Sequence, residues 1–202
     1  MVRPLASTEP SSPQILLSEM LGELNASHTG AGYRPENEDA DQTSSLGLLY
    51  DLAWSGEGLR ILEVLEGGPA TRSGTKVAPG VLVLRIDGEL LTPSIDPAIP
   101  LNRKAGKRVR VTFQKDKETW EEVLKPIPLQ QETELLYRRW VRTRRELTEK
   151  LSNGAVGYVH VRDMDDEGYR AVFHDLFGRN SDKKALVLDT RFNGGGWLHD
   201  DL

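Results

Sequence analysis

The feature that most constrains the fold is a strand–helix–strand pattern near the end of this 202-residue chain. Residues 155–161 and 185–188 are apolar runs of strand length, and the second run is uninterrupted. A continuous apolar strand is typical of a parallel sheet covered on both faces, and a helix that joins two parallel strands forms a right-handed crossover. Gly178 would end that helix as its C-terminal cap. The helix itself is indicated by apolar residues at helical spacing: Tyr169, Val172, Phe173, Leu176 and Phe177.

A glycine cluster follows the second of these strands directly, in the segment Asp189-Thr-Arg-Phe-Asn-Gly-Gly-Gly196. Ligands of α/β sheets bind beyond the carboxyl ends of the strands. Glycines let the backbone approach a ligand closely and turn its N–H groups outward, towards a phosphate or a transient oxyanion. Neither G-x-G-x-x-G nor G-x-x-x-x-G-K-[ST] is present. Nucleotide binding at Gly194–Gly196 and a purely structural turn remain alternatives.

The middle of the chain has a different sequence pattern, in which short β-like runs are broken by Gly and Pro. Strands are predicted at residues 46–52, 59–65, 81–86, 108–113 and 120–124. Asp87-Gly88 is a tight-turn signal. A single helical turn is predicted at residues 68–74 and a short helix at residues 96–106. The first turn of that helix is expected to be weak because Pro100 cannot donate a hydrogen bond to Asp96.

Two helices flank this region. Residues 13–24 carry an apolar stripe, and the acidic segment 36–41 after them is typical of a linker. Residues 130–151 form a charged helix with Leu136, Trp140, Leu147 and Leu151 on one side. Five arginines on this helix are expected to be solvated or paired within the chain: Arg138, Arg139, Arg142, Arg144 and Arg145.

Composition excludes several kinds of chemistry. The chain has no cysteine, so disulfides, a thiol nucleophile and cysteine-rich zinc sites are excluded, and its four histidines form no ligand pair; we expect no metal and no cofactor. The net charge of -5 does not favour nucleic-acid binding. No apolar run is long enough to span a membrane. His160 is interpreted as a face-filling strand residue, and Asp163, Asp165, Asp166 and Glu167 as capping the next helix.

The loop Leu46-Gly47-Leu48-Leu49 could present backbone N–H groups to a carboxylate, and the strand after it could accept an added peptide strand. By itself this tetrapeptide is uninformative. The segments 66–74, 81–89 and 104–113 follow it, and together the series resembles a PDZ domain of the kind found in processing proteases. This resemblance implies a peptide-binding site at Leu46, Gly47, Leu48 and Leu49. The alternative is a small β domain with ordinary turns.

The segments 137–140, 154–161 and 185–196 closely resemble the tricorn proteases, relatives of the carboxy-terminal processing serine peptidases. The resemblance implies an α+β multi-domain fragment: residues 1–41 end a helical catalytic subdomain and its linker, residues 42–128 are a PDZ-like β-barrel or sandwich with two short helices, and residues 129–202 begin an α/β catalytic domain with a βαβ unit. Gly196 would then help to form the oxyanion hole, with Gly195 as the near alternative.

His28 follows the first helix. From the residues alone it is a capping or surface residue, but the segment 19–28 resembles the part of the family that carries a Ser-His pair. The resemblance therefore implies that His28 is the general base and that Ser27 orients it. The nucleophilic serine of the family falls beyond Leu202, so we expect the fragment alone to be inactive.

The chain is therefore predicted to be part of a cytoplasmic serine endopeptidase that acts on peptides. The longer protein is expected to form a homo-oligomer. The alternative is a non-catalytic PDZ-type module that binds peptides.

Overall fold

The computed structural model describes residues 20–23, 41–71, 74–92, 95–198 and 200–201. The chain divides into two compact units, Met1–Ala40 and Asp41–Leu202. In the first unit, residues 20–22 are helical, within the predicted helix. Ser27 and His28 lie outside the described residues. The parts predicted as PDZ-like and catalytic both lie in the second unit.

Most strands of the second unit form one antiparallel sheet. Its strands are β2 (Leu48–Tyr50), β3 (Leu59–Val64), β4 (Leu82–Ile86), β6 (Val109–Lys115) and β7 (Glu118–Leu124), in the order β2-β3-β4-β6-β7. The short strand β5 (Glu89–Leu90) pairs with β4, and a separate pair joins β1 (Ser44–Ser45) to β8 (Ile127–Pro128). All five strands predicted for this region are present, within a few residues of the expected bounds.

Alternation along β6 shows how the sheet builds its core. Val109, Val111 and Phe113 point to one face and are fully buried, while the residues between them are more exposed. Successive side chains of a strand face opposite sides, so this pattern buries one face of the sheet. Phe113 also stacks on Trp120 of the next strand, with ring centroids 5.8 Å apart.

Turn chemistry explains two further local features. Asp87 and Gly88 both have positive φ, as the tight turn between β4 and β5 requires. The helix predicted at 96–106 is wrong in length: only Ile99–Leu101 forms a 3-10 turn. Pro100 lacks the N–H that an α-helix would need, and at Arg103 the backbone turns to donate to the Gln42 carbonyl. At 68–74, the described part shows a turn in which the Thr71 N–H donates to the Gly68 carbonyl.

The second half begins with helix α1 (Leu129–Leu151), as predicted. The predicted βαβ unit follows, with β9 (Val156–His160), helix α2 (Asp166–His174) and β10 (Ala185–Asp189). Strands β9 and β10 pair in parallel. The Asp165 carboxylate accepts a hydrogen bond from the Gly168 N–H at the start of α2, which confirms the predicted acidic cap.

The end of α2 corrects one prediction. The helix continues into a wider turn, Asp175–Arg179, so Gly178 lies inside it and is not the cap. Asn180 ends the turn instead: both its backbone N–H and its side-chain amide donate to the Asp175 carbonyl. This side-chain bond makes a glycine cap unnecessary.

The burial of β10 corrects a second prediction. The strand was expected to be covered on both faces, but Leu186, Val187 and Leu188 are 42%, 43% and 57% exposed. Among the described residues β10 has a single strand neighbour, β9. The core cluster of the βαβ unit consists of Val159, Val161 and Val172, with Met164 and Leu176 against it. The apolar side of α1 is likewise exposed at Leu136, Leu147 and Leu151.

The arginines of α1 are paired within the chain. Arg139 contacts Glu63 at 2.6 Å and Arg142 contacts Glu66, so both join α1 to the end of β3. Within α1, Arg138 pairs with Glu134 and Arg144 lies over the ring of Trp140. Arg145 pairs with Asp175, in the turn that follows α2. This confirms the expectation of intrachain pairing.

Candidate functional site

The glycine segment lies at the carboxyl ends of β9 and β10, beside the residues that follow β9. The Gly194 N–H donates to the Arg162 carbonyl at 2.9 Å, and the Gly195 carbonyl accepts from the Met164 N–H at 2.8 Å. The Leu198 N–H then donates to the Met164 carbonyl. These bonds hold the two segments side by side.

Asn193 organises the glycines. Its side-chain amide donates to the Val161 carbonyl at 3.0 Å, and its Oδ1 accepts from the Gly195 N–H at 2.8 Å. The N–H groups of Gly194 and Gly195 are therefore both used internally. For the Gly196 N–H, the described residues provide no acceptor.

Only glycine fits at position 196. Its φ is +147°, and a Cβ there would lie 2.2 Å from the Met164 carbonyl oxygen. At Gly195 the φ is +84°, but a Cβ would meet open space. Position 196 is therefore the more tightly constrained of the two predicted oxyanion glycines. One free N–H does not make the cradle of several that a phosphate needs, which disfavours the nucleotide alternative.

Asp189 anchors the start of the segment. Its buried carboxylate accepts hydrogen bonds from the Tyr158 hydroxyl at 2.7 Å and from the Arg191 backbone N–H and guanidinium. These bonds, Arg191 first, hold the pKa of Asp189 well below its usual range. Burial, followed by the bond to Asp189, raises the pKa of Tyr158. Tyr158 is thus a neutral donor and Asp189 an anion at neutral pH.

His160 connects the segment to helix α1. Its Nε2 lies 2.8 Å from the Arg191 carbonyl oxygen, and its Nδ1 lies 2.9 Å from the Tyr137 hydroxyl. A carbonyl oxygen can only accept, so Nε2 carries a proton and, in the neutral ring, Nδ1 accepts from Tyr137. Trp140 packs edge-on against the ring at 4.8 Å. The face-filling interpretation of His160 is therefore too simple, because both of its nitrogens are bonded.

A charged cleft of about 500 Å³ opens beside His160 and Tyr137. Arg162 lies at its side, paired with Glu134 at 2.6 Å and stacked over the Tyr137 ring at 4.2 Å. The acidic residues Asp163, Asp165 and Glu167 also line it. Across the described ranges, no three carboxylate or histidine groups converge on a possible metal position. Nor does the described part contain a helix long and apolar enough to cross a membrane.

The second predicted site, Leu46 to Leu49, forms the end of a separate groove. Gly47 has a φ of +67°, and its N–H donates to the Ser45 hydroxyl oxygen at 2.9 Å. Leu46 and Leu48 are buried and line a cavity of about 160 Å³ between β2 and the 3-10 turn. Leu49 lies in β2 opposite Glu63 of β3.

Sequence reasoning missed Asn193, Asp189 and the His160–Tyr137 pair as parts of the site. Asn193 and Asp189 stand in the segment that was singled out, so their position was a usable signal. No local signal connects His160 to Tyr137, because their contact joins a strand and a helix 23 residues apart. Ser27 and His28, the predicted base pair, lie outside the described residues.

Comparison with known proteins matches one part of the chain to a peptidase family and most of the chain to tricorn proteases. Residues 155–202 match the family model described as Peptidase family S41, so this part of the chain is a relative of these peptidases. The tricorn protease homolog 2 of Streptomyces coelicolor is 31% identical over 97% of this chain, and the tricorn protease homolog of Saccharolobus solfataricus is 28% identical over 91%. The resemblance to tricorn proteases that the sequence predicts is confirmed.

The fold agrees with this relationship. The crystal structure of the tricorn protease matches 89% of this chain with a TM-score of 0.74 and 25% identity. Of the predicted α+β class, a mixed α/β fold with several antiparallel sheets and few helices is confirmed. The chain spans 18% and 17% of the length of the two curated relatives and 18% of the tricorn chain.

Proposed function

We propose that this chain is part of a tricorn-type serine peptidase that hydrolyses peptides through an acyl-enzyme, without metal or cofactor. The observation that carries the proposal is the Gly196 N–H, which has no acceptor among the described residues while the N–H groups of Gly194 and Gly195 are bonded. It lies at the carboxyl end of a parallel strand pair, where α/β enzymes place their sites. The tricorn relatives support the reaction class.

In the proposed reaction, a serine hydroxyl supplied by the longer protein attacks the carbonyl carbon of a peptide bond. His28 accepts the hydroxyl proton, with Ser27 holding the imidazole, and returns the proton to the leaving amine. Gly196 donates its N–H to the oxyanion that forms on the carbonyl oxygen. Water then hydrolyses the acyl-enzyme by the same route.

The surrounding network supports this role for Gly196. An oxyanion donor is effective when its position is already set before the reaction, since no energy is then spent on reorienting it. Asn193, Asp189 and His160 each bond to the segment that carries the glycines. We assign them as positioning residues, because none of them is the donor itself.

The domain organisation is part of the proposal. Residues 1–41 would end a helical subdomain, residues 42–128 a PDZ-like domain and residues 129–202 the start of the catalytic domain. The position of β2 at the edge of the sheet, next to a groove, supports the PDZ-like assignment. We also propose peptide substrates, a homo-oligomer for the longer protein and a cytoplasmic location, with which the lack of cysteine is compatible.

The same groove supports a second candidate function, a non-catalytic peptide-binding module. An edge strand can accept an added peptide strand without any chemistry. In that case the βαβ unit would only support the groove, and no variant of the polypeptide extended past Leu202 would react with a serine-directed reagent.

The test uses the polypeptide extended past Leu202 by its own downstream sequence. We expect it to react with a fluorophosphonate and to hydrolyse peptides, and His28→Ala to abolish both. Gly196→Ala should lower kcat about 10²- to 10³-fold, the usual cost of a lost oxyanion donor. Its Cβ would clash with the Met164 carbonyl, so the backbone that carries the donor N–H must move.

Gly195→Ala is the matched control: an alanine is strained there too, at a φ of +84°, but its Cβ meets open space. Thermal unfolding of both variants shows whether the loop alone has changed. Equal kcat values for the two variants would contradict the role of Gly196, and labelling retained in His28→Ala would contradict the assigned base.

A further inference from the structure

The groove beside β2 is the strongest feature that the proposed catalytic role does not use. Strand β2 has β3 on one side, and no described strand pairs with its other edge. Leu48 and Tyr50 of the same strand line the 160 Å³ cavity, whose apolar lining also includes Leu46 and Leu101. An open strand edge next to apolar pockets is how sheets bind extended peptides.

The loop at the end of this groove is linked through Ser45 to a carboxylate of the chain itself. The Gly47 N–H donates to the Ser45 hydroxyl oxygen, and the Ser45 hydroxyl donates to the Glu132 carboxylate from the first turn of α1. A loop of this kind would otherwise offer its donors to a peptide's terminal carboxylate. Here the Gly47 N–H is already bonded to Ser45, and Glu132 places a negative charge behind that hydroxyl.

Charge at the groove is of one sign. Glu132 and Asp96 line it, and none of the described lining residues is basic. Asp96 accepts a hydrogen bond from the Ala98 N–H, which keeps it at the start of the 3-10 turn. The Tyr50 hydroxyl is also in this environment: burial, and then the charge of Glu132, raise its pKa. Tyr50 is therefore neutral, and the charge at the groove comes from Glu132 and Asp96.

A second carboxylate entering this groove would meet Glu132 with a like charge in a partly desolvated site, where repulsion is stronger than in water. The positive charge of a lysine or arginine side chain would instead be attracted to Glu132. The groove lining also contains apolar side chains, and β2 has an edge that no described strand pairs with; these suit the apolar side chains and the extended backbone of the same peptide.

We propose that this groove binds an internal, extended peptide segment that carries a lysine or arginine, with the basic group placed against Glu132, and that it rejects free C-terminal carboxylates. The inference rests on the proposed peptide-binding role of the PDZ-like part. It is independent of the catalytic proposal, since binding needs no turnover.

The experiment measures fluorescence polarisation of three fluorescein-labelled apolar hexapeptides with the 202-residue chain. The first has an amidated end and a central lysine, the second replaces the lysine by norleucine, and the third is the norleucine peptide with a free carboxylate. The lysine peptide should bind roughly threefold to tenfold more tightly than the norleucine amide, as expected for a single half-buried ion pair. The free carboxylate should bind no better than the norleucine amide.

Glu132→Gln should remove the lysine preference, while Glu149→Gln, farther along the same helix, should leave it intact. Asp96→Asn, which can still cap the 3-10 turn, should reduce the preference if Glu132→Gln fails to fold in thermal unfolding. A lysine preference that survives in a folded Glu132→Gln variant would overturn the inference, as would tighter binding of the free carboxylate. Absence of binding by all three peptides would overturn both the inference and the proposed peptide-binding role, but not the catalytic proposal.

Discussion

An apolar strand is buried in the antiparallel sheet, whereas the apolar strand β10 of the parallel β9–β10 pair remains partly exposed. In the sheet, Val109, Val111 and Phe113 of β6 are completely buried by residues of the same region. In the parallel pair, Leu186 and Leu188 of β10 remain exposed, and the buried core consists of three valines. The sheet thus completes its own core, and the described parallel pair does not.

This difference teaches that an apolar run predicts strand formation more securely than it predicts burial. Strand pairing needs one neighbour, and β9 supplies it for β10. Burial on both faces needs a layer above and a layer below. The sheet is covered by residues of its own loops, such as Ala70, Leu91 and Leu101, which belong to the same core. The described residues beside β10 provide little such cover.

The sharpest way to test the comparison is to remove one large apolar side chain from each region. Phe113→Ala should lower the free energy of unfolding by about 3–5 kcal/mol, because it leaves a cavity in a packed core. Leu188→Ala should change it by less than about 0.5 kcal/mol, because the side chain is mostly in water. Urea unfolding followed by tryptophan fluorescence and circular dichroism measures both. Comparable losses would show that β10 is covered in solution.

Loss of the Asp189 hydrogen bonds should lower the free energy of unfolding by less than loss of a sheet-core side chain, but by more than removal of a surface charge. Asp189→Asn weakens the bonds to Tyr158 and Arg191, and we expect a loss of about 1–3 kcal/mol at neutral pH. Because the folded pKa of Asp189 is depressed, its stabilisation is complete above the unfolded value of about 3.9 and is lost as the pH falls below it. The wild type and the variant should therefore converge in acid.

Asp182→Asn, an exposed change in the loop before β10, is the control for this experiment and should leave both the stability and its pH dependence unchanged. A constant difference between wild type and Asp189→Asn down to pH 2 would contradict the role assigned to the ionised carboxylate.

The smallest effect tests whether the two regions are joined. Arg139 on α1 donates to Glu63 on β3, and this bond lowers the pKa of Glu63. Both side chains are about a third exposed, so a double-mutant cycle with alanine should give a coupling of about 0.3–1 kcal/mol. The Arg138–Glu134 pair within α1 is the reference. Zero coupling between Arg139 and Glu63 would mean that the pair does not hold α1 against the sheet.

Local patterns predicted much of the architecture. Alternating residues placed the strands of the sheet, Asp87-Gly88 marked its tight turn, and the acidic residues after β9 marked the start of α2. Each of these depends on side chains a few positions apart. The glycine segment was singled out as a site for the same reason, and the residues around it were not, because Tyr137 and His160 meet only when α1 crosses β9.

The sequence by itself determined the order of the elements, the mixed α/β class and the resemblance to tricorn proteases, since these follow from spacing, turn residues and local motifs. Only the tertiary structure decided which glycine N–H has no acceptor among the described residues, that the Gly195 N–H donates to Asn193, and that Glu132 lies at the end of the β2 groove. The physical reason is that a hydrogen bond engages a donor in space. Whether a backbone N–H is free for a ligand therefore depends on groups that the chain brings back from far along its length.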